Sequence, residues 1–161
     1  MKEIGIGLLG FGTVGAGVVE GLQKNGELIA RRTGTRLILR KIADIDLDRD
    51  RGVKVDRSLL TRDANGVIRD SSVDVIVELI GGMNVARDFI LKALNLGKPV
   101  VTANKALLAE KGEEIYRVAL DKGAAVYCEA SVAGGIPIIK ALREGLVANH
   151  IQSVYGILNG T

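Results

Sequence analysis

The sequence predicts an α/β fold with a doubly wound, mostly parallel sheet and helices on both faces of that sheet. Short apolar, β-branched segments alternate almost without a break with segments whose apolar residues repeat at helical spacing, which is typical of successive right-handed crossovers. No internal repeat or low-complexity tract interrupts the alternation. A chain of 161 residues that is 47% hydrophobic can bury one sizeable core and has the size of a single domain.

A glycine-rich turn joins the first predicted strand to the first predicted helix. The apolar run 4–9 leads into a G-x-G-x-x-G string, and an apolar stripe at helical spacing follows it. In this arrangement Gly10 makes the tight turn, Gly12 lets the backbone approach a pyrophosphate, and Gly15 lets the helix pack close to the strand. The unpaired N–H groups at the helix start would face the phosphates. The string therefore predicts a Rossmann-type dinucleotide site formed by Gly10, Phe11, Gly12, Thr13, Val14 and Gly15.

The next elements are predicted from periodicity and from helix-ending residues. The first helix is expected to end near Asn25 and Gly26, with a second short helix before Gly34. A strand is expected over 37–44, and the highly charged segment 45–70 is expected to form surface loop and a short helix. A β-branched run over 73–80 predicts a buried parallel strand.

The second half of the chain continues the same alternation. A helical stripe over 85–96 ends before Gly97, where a C-terminal cap belongs. The remaining expected elements are a strand over 100–102, a helix that follows Lys105 and ends at Lys122 and Gly123, a strand over 124–128, a loop over 129–137, a helix over 138–146 and a last strand over 151–158.

Charge and cysteine content exclude several classes of protein. The chain has 22 Lys and Arg against 19 Asp and Glu, and this dispersed surplus lacks the basic stripe of a nucleic-acid-binding face. Its single cysteine, Cys128, allows no internal disulfide, which favours a reducing compartment. The sequence has no signal-peptide pattern and no apolar run long enough for a bilayer. We therefore expect a cytoplasmic protein that binds neither nucleic acid nor membrane.

Ligands of a doubly wound sheet lie across the carboxyl ends of its strands. Asp44 ends the second predicted strand, where its carboxylate can accept hydrogen bonds from a ribose and repel a 2′-phosphate, which favours NAD over NADP. Asp44 lies 29 residues after Gly15, against the usual interval of about 20, an excess that we attribute to the extra segment 25–35. Two alternatives stay open: Asp44 is a turn residue, or nearby basic residues neutralise a 2′-phosphate and admit NADP, namely Lys41, Arg49 and Arg51.

Few other residues are candidates for chemistry. Lys105 follows a strand at the same edge, where its ammonium could polarise a carbonyl or hold a carboxylate; the alternative is an ordinary lysine at a helix start. Glu78 and Glu129 are expected to cap backbone N–H groups, although Glu129 and nearby carbonyls could also hold a hard cation. Cys128 is predicted to be a packed thiol and His150 a surface residue.

Five strings stand in a specific order and spacing, namely residues 9–15 (LGFGTVG), 77–82 (VELIGG), 101–109 (VTANKALLA), 129–137 (EASVAGGIP) and 158–161 (LNGT). Together they resemble the homoserine dehydrogenase family over the whole chain. The resemblance implies an oxidoreductase that interconverts aspartate semialdehyde and homoserine with NAD(P), in the branch leading to threonine, methionine and isoleucine.

The same resemblance implies roles for individual residues. Lys105 would lie where the nicotinamide meets the substrate. Glu129 would bind a monovalent cation such as Na⁺ together with backbone carbonyls of Val132, Gly134 and Ile136. Beyond the glycine turn, the residues expected to contact the cofactor are Asp44, Ile80, Gly81, Thr102, Ala103 and Lys105.

The resemblance also places a second lysine and acidic residues of the substrate site downstream of residues 158–161. Residues 1–161 are thus expected to form the NAD(P)-binding domain, to bind dinucleotide and to be inactive alone, within a full-length protein that is a homo-oligomer. Two alternatives remain. One is a non-catalytic dinucleotide-sensing module. The other is a semialdehyde dehydrogenase, which needs a nucleophilic thiol, and Cys128 is poorly placed to provide it.

Overall fold

A computed structural model describes residues 1–157, which form a six-stranded parallel sheet with the strand order β3-β2-β1-β4-β5-β6. This order is that of a doubly wound fold, with the reversal of strand order between β1 and β4, and it confirms the predicted fold class. The strands are β1 (Lys2–Leu9), β2 (Thr35–Ala43), β3 (Leu60–Thr61), β4 (Val75–Glu78), β5 (Val100–Thr102) and β6 (Val126–Tyr127).

Helices cover both faces of the sheet because neighbouring residues of each strand point to opposite sides. Leu8 packs in the cluster that contains Val19 of the first helix, whereas Leu9 packs in the cluster that contains Ile90 and Ile115 of later helices. The helices are α1 (Thr13–Thr33), α2 (Ala64–Arg69), α3 (Asn84–Asn95), α4 (Lys105–Lys122) and α5 (Ile138–Lys140). No helix within residues 1–157 is long and apolar enough to cross a membrane.

The predicted end of the first helix at Asn25 and Gly26 was wrong. A single helix continues to Thr33 and ends at Gly34, whose φ of 69° lets its N–H bind Ala30 O. A glycine inside a helix costs only about 1 kcal/mol, and the rest of α1 outweighs this cost. The interval between Gly15 and Asp44 is therefore longer than usual because α1 continues past Gly26 to its cap at Gly34.

Two further predictions for the second half need correction. The expected helix 138–146 is a three-residue helix followed by a π-helical turn, Ala141–Gly145. No strand forms over 151–157, whose side chains are exposed, because no neighbouring strand among the described residues offers backbone hydrogen bonds. Leu158 and the string 158–161 lie outside the described residues.

The other elements match the sequence closely. The strand 100–102 is confirmed at the predicted residues, and α3 and α4 occupy the predicted segments. The glycines after them have φ values of 72° at Gly97 and 62° at Gly123. Strand β3 was not predicted within 45–70, since two residues are too few to show a period.

Candidate functional site

The glycine turn between β1 and α1 is fixed by close contacts inside the protein. Gly10 has a φ of 95°, and a Cβ there would lie 2.6 Å from the backbone carbon of Leu79. A Cβ on Gly15 would lie 2.2 Å from Gly10 O, so α1 packs directly on the turn. Gly12 differs, because a Cβ there would meet nothing within 4 Å. Gly10 and Gly15 thus serve the fold, and Gly12 presents bare backbone to the outside.

The first turn of α1 presents backbone N–H groups without protein acceptors. Gly12 is the N-cap, makes no side-chain capping bond, and is followed by no acidic residue in the first turn. The first helical bond joins Ala16 N–H to Gly12 O at 2.9 Å. Among the described residues no acceptor binds the N–H of Gly12, Thr13 or Val14. An uncompensated helix start of this kind fits a phosphate group.

Asp44 follows β2 directly and holds the glycine turn in place. Its carboxylate accepts hydrogen bonds from Phe11 N–H at 2.5 Å and from Asp46 N–H at 2.8 Å. The third partner is Arg51, 3.3 Å away, and the side chains of Arg51 and Asp44 are only 6% and 13% exposed. A carboxylate has about four acceptor positions, so Asp44 acts as a turn residue and still has room for a ribose hydroxyl.

Arg51 is the buried centre of the loop after β2. Its guanidinium donates to Phe11 O, Arg49 O and Asp46 O and lies 5.0 Å from the centroid of the Phe11 ring. Phe11 itself is 3% exposed and belongs to the core. Nothing in the sequence pattern indicates this arrangement, because an arginine in a charged loop is usually solvated.

Two clefts follow the carboxyl ends of the strands. The first, which we call the Asp44 cleft, has a volume of about 340 Å³ and is lined by Gly10, Gly12, Asp44, Arg62 and the apolar side chains of Ile45, Ile80, Val85 and Phe89. The second, the Lys105 cleft, has a volume of about 320 Å³ and is lined by Val14, Gly81, Ala103 and Lys105. Leu79 lines both clefts, so they adjoin along the sheet edge.

Glu78 organises the floor of the Lys105 cleft. Its side chain is fully buried, and one carboxylate oxygen accepts from Ile80 N–H at 2.8 Å and from Gly81 N–H at 3.3 Å. The other oxygen accepts from Thr102 Oγ1 at 2.8 Å. This confirms the expectation that Glu78 caps backbone N–H groups. Thr102 is 1% exposed, so its hydroxyl serves this link rather than the cleft surface.

Lys105 is the first residue of α4, and Asn104 fixes that helix start. Asn104 Oδ1 accepts from Leu107 N–H at 3.2 Å, and its Nδ2 donates to Gly82 O at 2.6 Å. The Lys105 side chain is exposed beside the cleft, and no carboxylate of residues 1–157 forms an ion pair with it. Asn104 is not among the residues predicted for the site, although asparagine just before a helical stripe is a common N-cap.

Glu129 lies after β6 and caps the next helix. Its two carboxylate oxygens accept from Ile139 N–H and Lys140 N–H, each at 3.0 Å. Ser131 Oγ donates to Thr102 O at 3.1 Å, which joins this segment to the β5 end. The backbone of Gly134 has a φ of 60°, and Val132, Gly134 and Ile136 all follow Glu129 in the same loop. Within residues 1–157 no group of three or more His, Cys, Asp or Glu could hold a metal.

The remaining candidates have structural positions. Cys128 is buried, with its Sγ 3.1 Å from Tyr116 Oη, so the packed-thiol prediction is confirmed. Burial and this contact raise the pKa of Tyr116 to about 12. His150 is on the surface, as predicted.

The strand order, the glycine turn and the uncapped start of α1 together define the class as a Rossmann-type nicotinamide-dinucleotide-binding domain. The family model described as the homoserine dehydrogenase NAD binding domain matches residues 10–129. The chain therefore belongs to the homoserine dehydrogenase family, and the resemblance noted in the sequence is confirmed.

Individual relatives agree with this assignment. The homoserine dehydrogenase of Neisseria gonorrhoeae is 47% identical over 161 residues, and that of Bacillus subtilis is 43% identical. The crystal structure of a homoserine dehydrogenase from Thiobacillus denitrificans has 49% identity and a TM-score of 0.84 over 92% of this chain and 34% of its own. A hyperthermophilic archaeal homoserine dehydrogenase in complex with NADPH, 24% identical with a TM-score of 0.70, shares the fold. The chain spans 37% of the length of the first two relatives.

Proposed function

We propose that residues 1–161 are the NAD(P)-binding domain of an enzyme that interconverts L-aspartate 4-semialdehyde and L-homoserine, in the branch leading to threonine, methionine and isoleucine. The observation that carries this proposal is the uncapped N-terminus of α1, which lies between the Asp44 cleft and the Lys105 cleft. A helix start with free N–H groups binds a pyrophosphate, and the flanking clefts have room for the two nucleoside halves. The proposed setting is the cytoplasm, in a homo-oligomeric protein.

Different residues are proposed to bind the different parts of the cofactor. The N–H groups of Gly12, Thr13 and Val14 would bind the pyrophosphate, and the apolar Asp44 cleft would take the adenosine, with Asp44 accepting from a ribose hydroxyl. The nicotinamide would enter the Lys105 cleft, beside Gly81 and Ala103. When bound, the dinucleotide supplies the hydride chemistry.

Lys105 is the proposed catalytic residue of this domain. The exposed side chain stands at the nicotinamide cleft, and no carboxylate among the described residues neutralises it. A fixed ammonium there would stabilise the negative charge that develops on a substrate carbonyl oxygen. Glu78 and Asn104 hold the backbone around the cleft, which supports this role because the helix start that carries Lys105 is ordered before substrate binds.

A monovalent cation such as Na⁺ is proposed to bind Glu129 and carbonyls of Val132, Gly134 and Ile136. The oxygen-only donor set suits a hard cation. Two backbone N–H groups occupy two of about four acceptor positions on the Glu129 carboxylate. The remaining positions fit a cation that would brace the segment after β6.

Residues 1–161 are proposed to bind dinucleotide without turning over substrate, since the chain spans 37% of the relatives' length. The substrate-binding residues would lie in a further, downstream domain. A steady-state assay on these 161 residues tests this, and turnover close to that of the full-length protein would contradict it.

Cofactor binding is tested by thermal unfolding with and without NAD⁺. A ligand that binds only the folded state adds about 2.7 kcal/mol at a concentration of 100 times its Kd. We expect NAD⁺ to shift Tm more than NADP⁺ does, because Asp44 repels a 2′-phosphate. Equal shifts or a reversed order would remove Asp44 from that role.

The Gly12→Asp variant separates folding from binding. An aspartate at an N-cap is better than glycine by only about a few tenths of a kcal/mol, and Gly12 has space for a side chain. The unliganded variant should keep or gain stability while losing the NAD⁺ shift, because the carboxylate would occupy the phosphate position. The control Gly21→Ala lies in the same helix with nothing within 4 Å and should keep the shift. A normal shift in Gly12→Asp would show that the pyrophosphate binds elsewhere.

Lys105→Ala in the complete protein tests catalysis against the alternative of a cofactor sensor. We expect hydride transfer to fall by about 100-fold or more, with dinucleotide affinity nearly unchanged. Lys111→Ala, an exposed lysine of the same helix, is the control. Unchanged turnover in Lys105→Ala would refute the proposed role of the residue.

A further inference from the structure

We propose that Arg62 determines whether the domain accepts NADP, because its guanidinium is the cation available to a 2′-phosphate in the Asp44 cleft. This inference rests on the proposed dinucleotide function and adds a specificity residue to it. Arg62 follows β3, an element that the sequence did not predict.

Of the three basic residues that were expected near a 2′-phosphate, Arg51 and Lys41 have other partners and Arg49 lines another cleft. Arg51 is 6% exposed and its guanidinium is used by Asp44 and backbone carbonyls. Lys41 Nζ donates to Ser58 O at 3.0 Å. Arg49 lines a different cleft, on the side of α1 that includes Thr13 and Glu20. None of the three lines the Asp44 cleft.

The register of β2 and β3 brings Arg62 next to Asp44. Ala43 pairs with Thr61, and Asp44 N–H donates to Thr61 O at 3.0 Å, so the next residues on the two strands are neighbours. Arg62 Nε donates to Ile45 O at 3.2 Å, and both Ile45 and Arg62 line the Asp44 cleft. This bond holds the Arg62 side chain along that cleft. Arg62 is thus held beside the residue expected to contact the ribose.

Arg51 and Arg62 allow a phosphate at this point despite the carboxylate of Asp44. The Arg51 guanidinium offsets the carboxylate of Asp44, which reduces its repulsion of a second anion. The bond to Ile45 O uses only Nε of Arg62. Residues 1–157 provide no acceptor for its two terminal nitrogens, which are therefore available to a ligand. A guanidinium with two free nitrogens suits bidentate binding of a phosphate. NAD, which has a hydroxyl in place of that phosphate, would depend much less on Arg62.

Calorimetric titration of the full chain with NAD⁺, NADP⁺, 5′-AMP and adenosine 2′,5′-bisphosphate tests this. For Arg62→Ala we expect affinity for NADP⁺ and the bisphosphate to fall about tenfold or more, and affinity for NAD⁺ and AMP to change less than about threefold. Arg62→Lys should lie between, since it keeps the charge without the fork. Arg69→Ala, an exposed arginine at the end of α2, is the control and should behave as the wild type.

The outcomes separate this proposal from the proposed function. If the wild-type chain binds NAD⁺ but not NADP⁺, or if Arg62→Ala weakens both dinucleotides equally or neither, the role of Arg62 is refuted while the dinucleotide site stands. If the wild-type chain binds neither dinucleotide, the proposed function fails and this inference fails with it. Selective loss of the two 2′-phosphorylated ligands supports the proposal.

Discussion

At both the Asp44 cleft and the Lys105 cleft a carboxylate holds the neighbouring loop, but the two carboxylates differ in burial. At the Asp44 cleft, a carboxylate that is 13% exposed binds the N–H of Phe11 and pairs with Arg51. At the Lys105 cleft, Glu78 is fully buried and is held by backbone N–H groups and by the hydroxyl of Thr102, and no basic side chain of residues 1–157 pairs with it. Each carboxylate therefore fixes a loop that faces the crevice.

This difference in burial indicates which of the two clefts tolerates substitution. Arg62 in the Asp44 cleft is exposed, and exposed charges are screened and can be replaced at modest cost, so this cleft can be tuned between ligands that differ by one phosphate. A buried carboxylate that satisfies several donors leaves them all unpaired when it is removed. The Lys105 cleft, where the chemistry is proposed to occur, is therefore the more rigidly built end. Four variants test this comparison.

Gly10→Ala should have the largest effect because Gly10 packs against Leu79, the residue that lines both clefts. The substitution combines a strained positive φ with a Cβ 2.6 Å from Leu79, and we expect it to lower the free energy of unfolding by about 3 kcal/mol or more. Gly97→Ala is the matched control, since Gly97 has a φ of 72° and open space, and should cost about 1 kcal/mol. Urea unfolding measures both; equal losses would show that the contact with Leu79 imposes no constraint.

Glu78→Ala should cost about 3 kcal/mol, because two N–H groups and one hydroxyl lose their acceptor in a buried place. Thr102→Val removes only the hydroxyl partner and should cost about 1 kcal/mol. The comparison between the two ends requires Glu78→Ala to be more destabilising than Asp44→Ala in the same denaturant titration. The reverse order would contradict it.

Asp44→Ala should cost about 1 to 2 kcal/mol, since Arg51 keeps its bonds to backbone carbonyls. Combined with Arg51→Met in a double-mutant cycle, it should show a coupling energy of about 1 kcal/mol that changes little in high salt, because both side chains are nearly buried. No coupling would mean that the two side chains hold the loop independently.

Arg87→Ala should have the smallest effect, because its ion pair with Glu114 is partly exposed. The two hydrogen bonds from Arg87 in α3 lower the pKa of Glu114 in α4. Since that pKa is lower in the folded chain, the pair stabilises the fold above the ordinary value of 4.5 and loses this contribution as the pH falls through the folded pKa.

The Tm difference between wild type and Arg87→Ala should accordingly be small at neutral pH and smaller still in acid. Arg117→Ala, which breaks an exposed pair within α4, is the control and should change Tm less at every pH. A difference that grows in acid would contradict the assignment.

The amino-acid sequence by itself determined the fold class and the edge of the sheet where the site lies. Strand and helix periods are local properties, and parallel strands joined by right-handed crossovers must bring their carboxyl ends together. Gly10, Asp44, Gly81 and Lys105 were therefore predicted to meet at one edge, and the structure places them along two adjoining clefts.

Only the tertiary structure decided how far α1 extends past Gly26, that β3 exists, and which partners hold Asp44. A helix interior tolerates a glycine when the packing of the other turns outweighs its cost. The place of Arg62 beside Asp44 follows from the pairing of β2 with β3. Strand register and hydrogen-bond partners depend on residues far apart in the chain, and no local pattern encodes them.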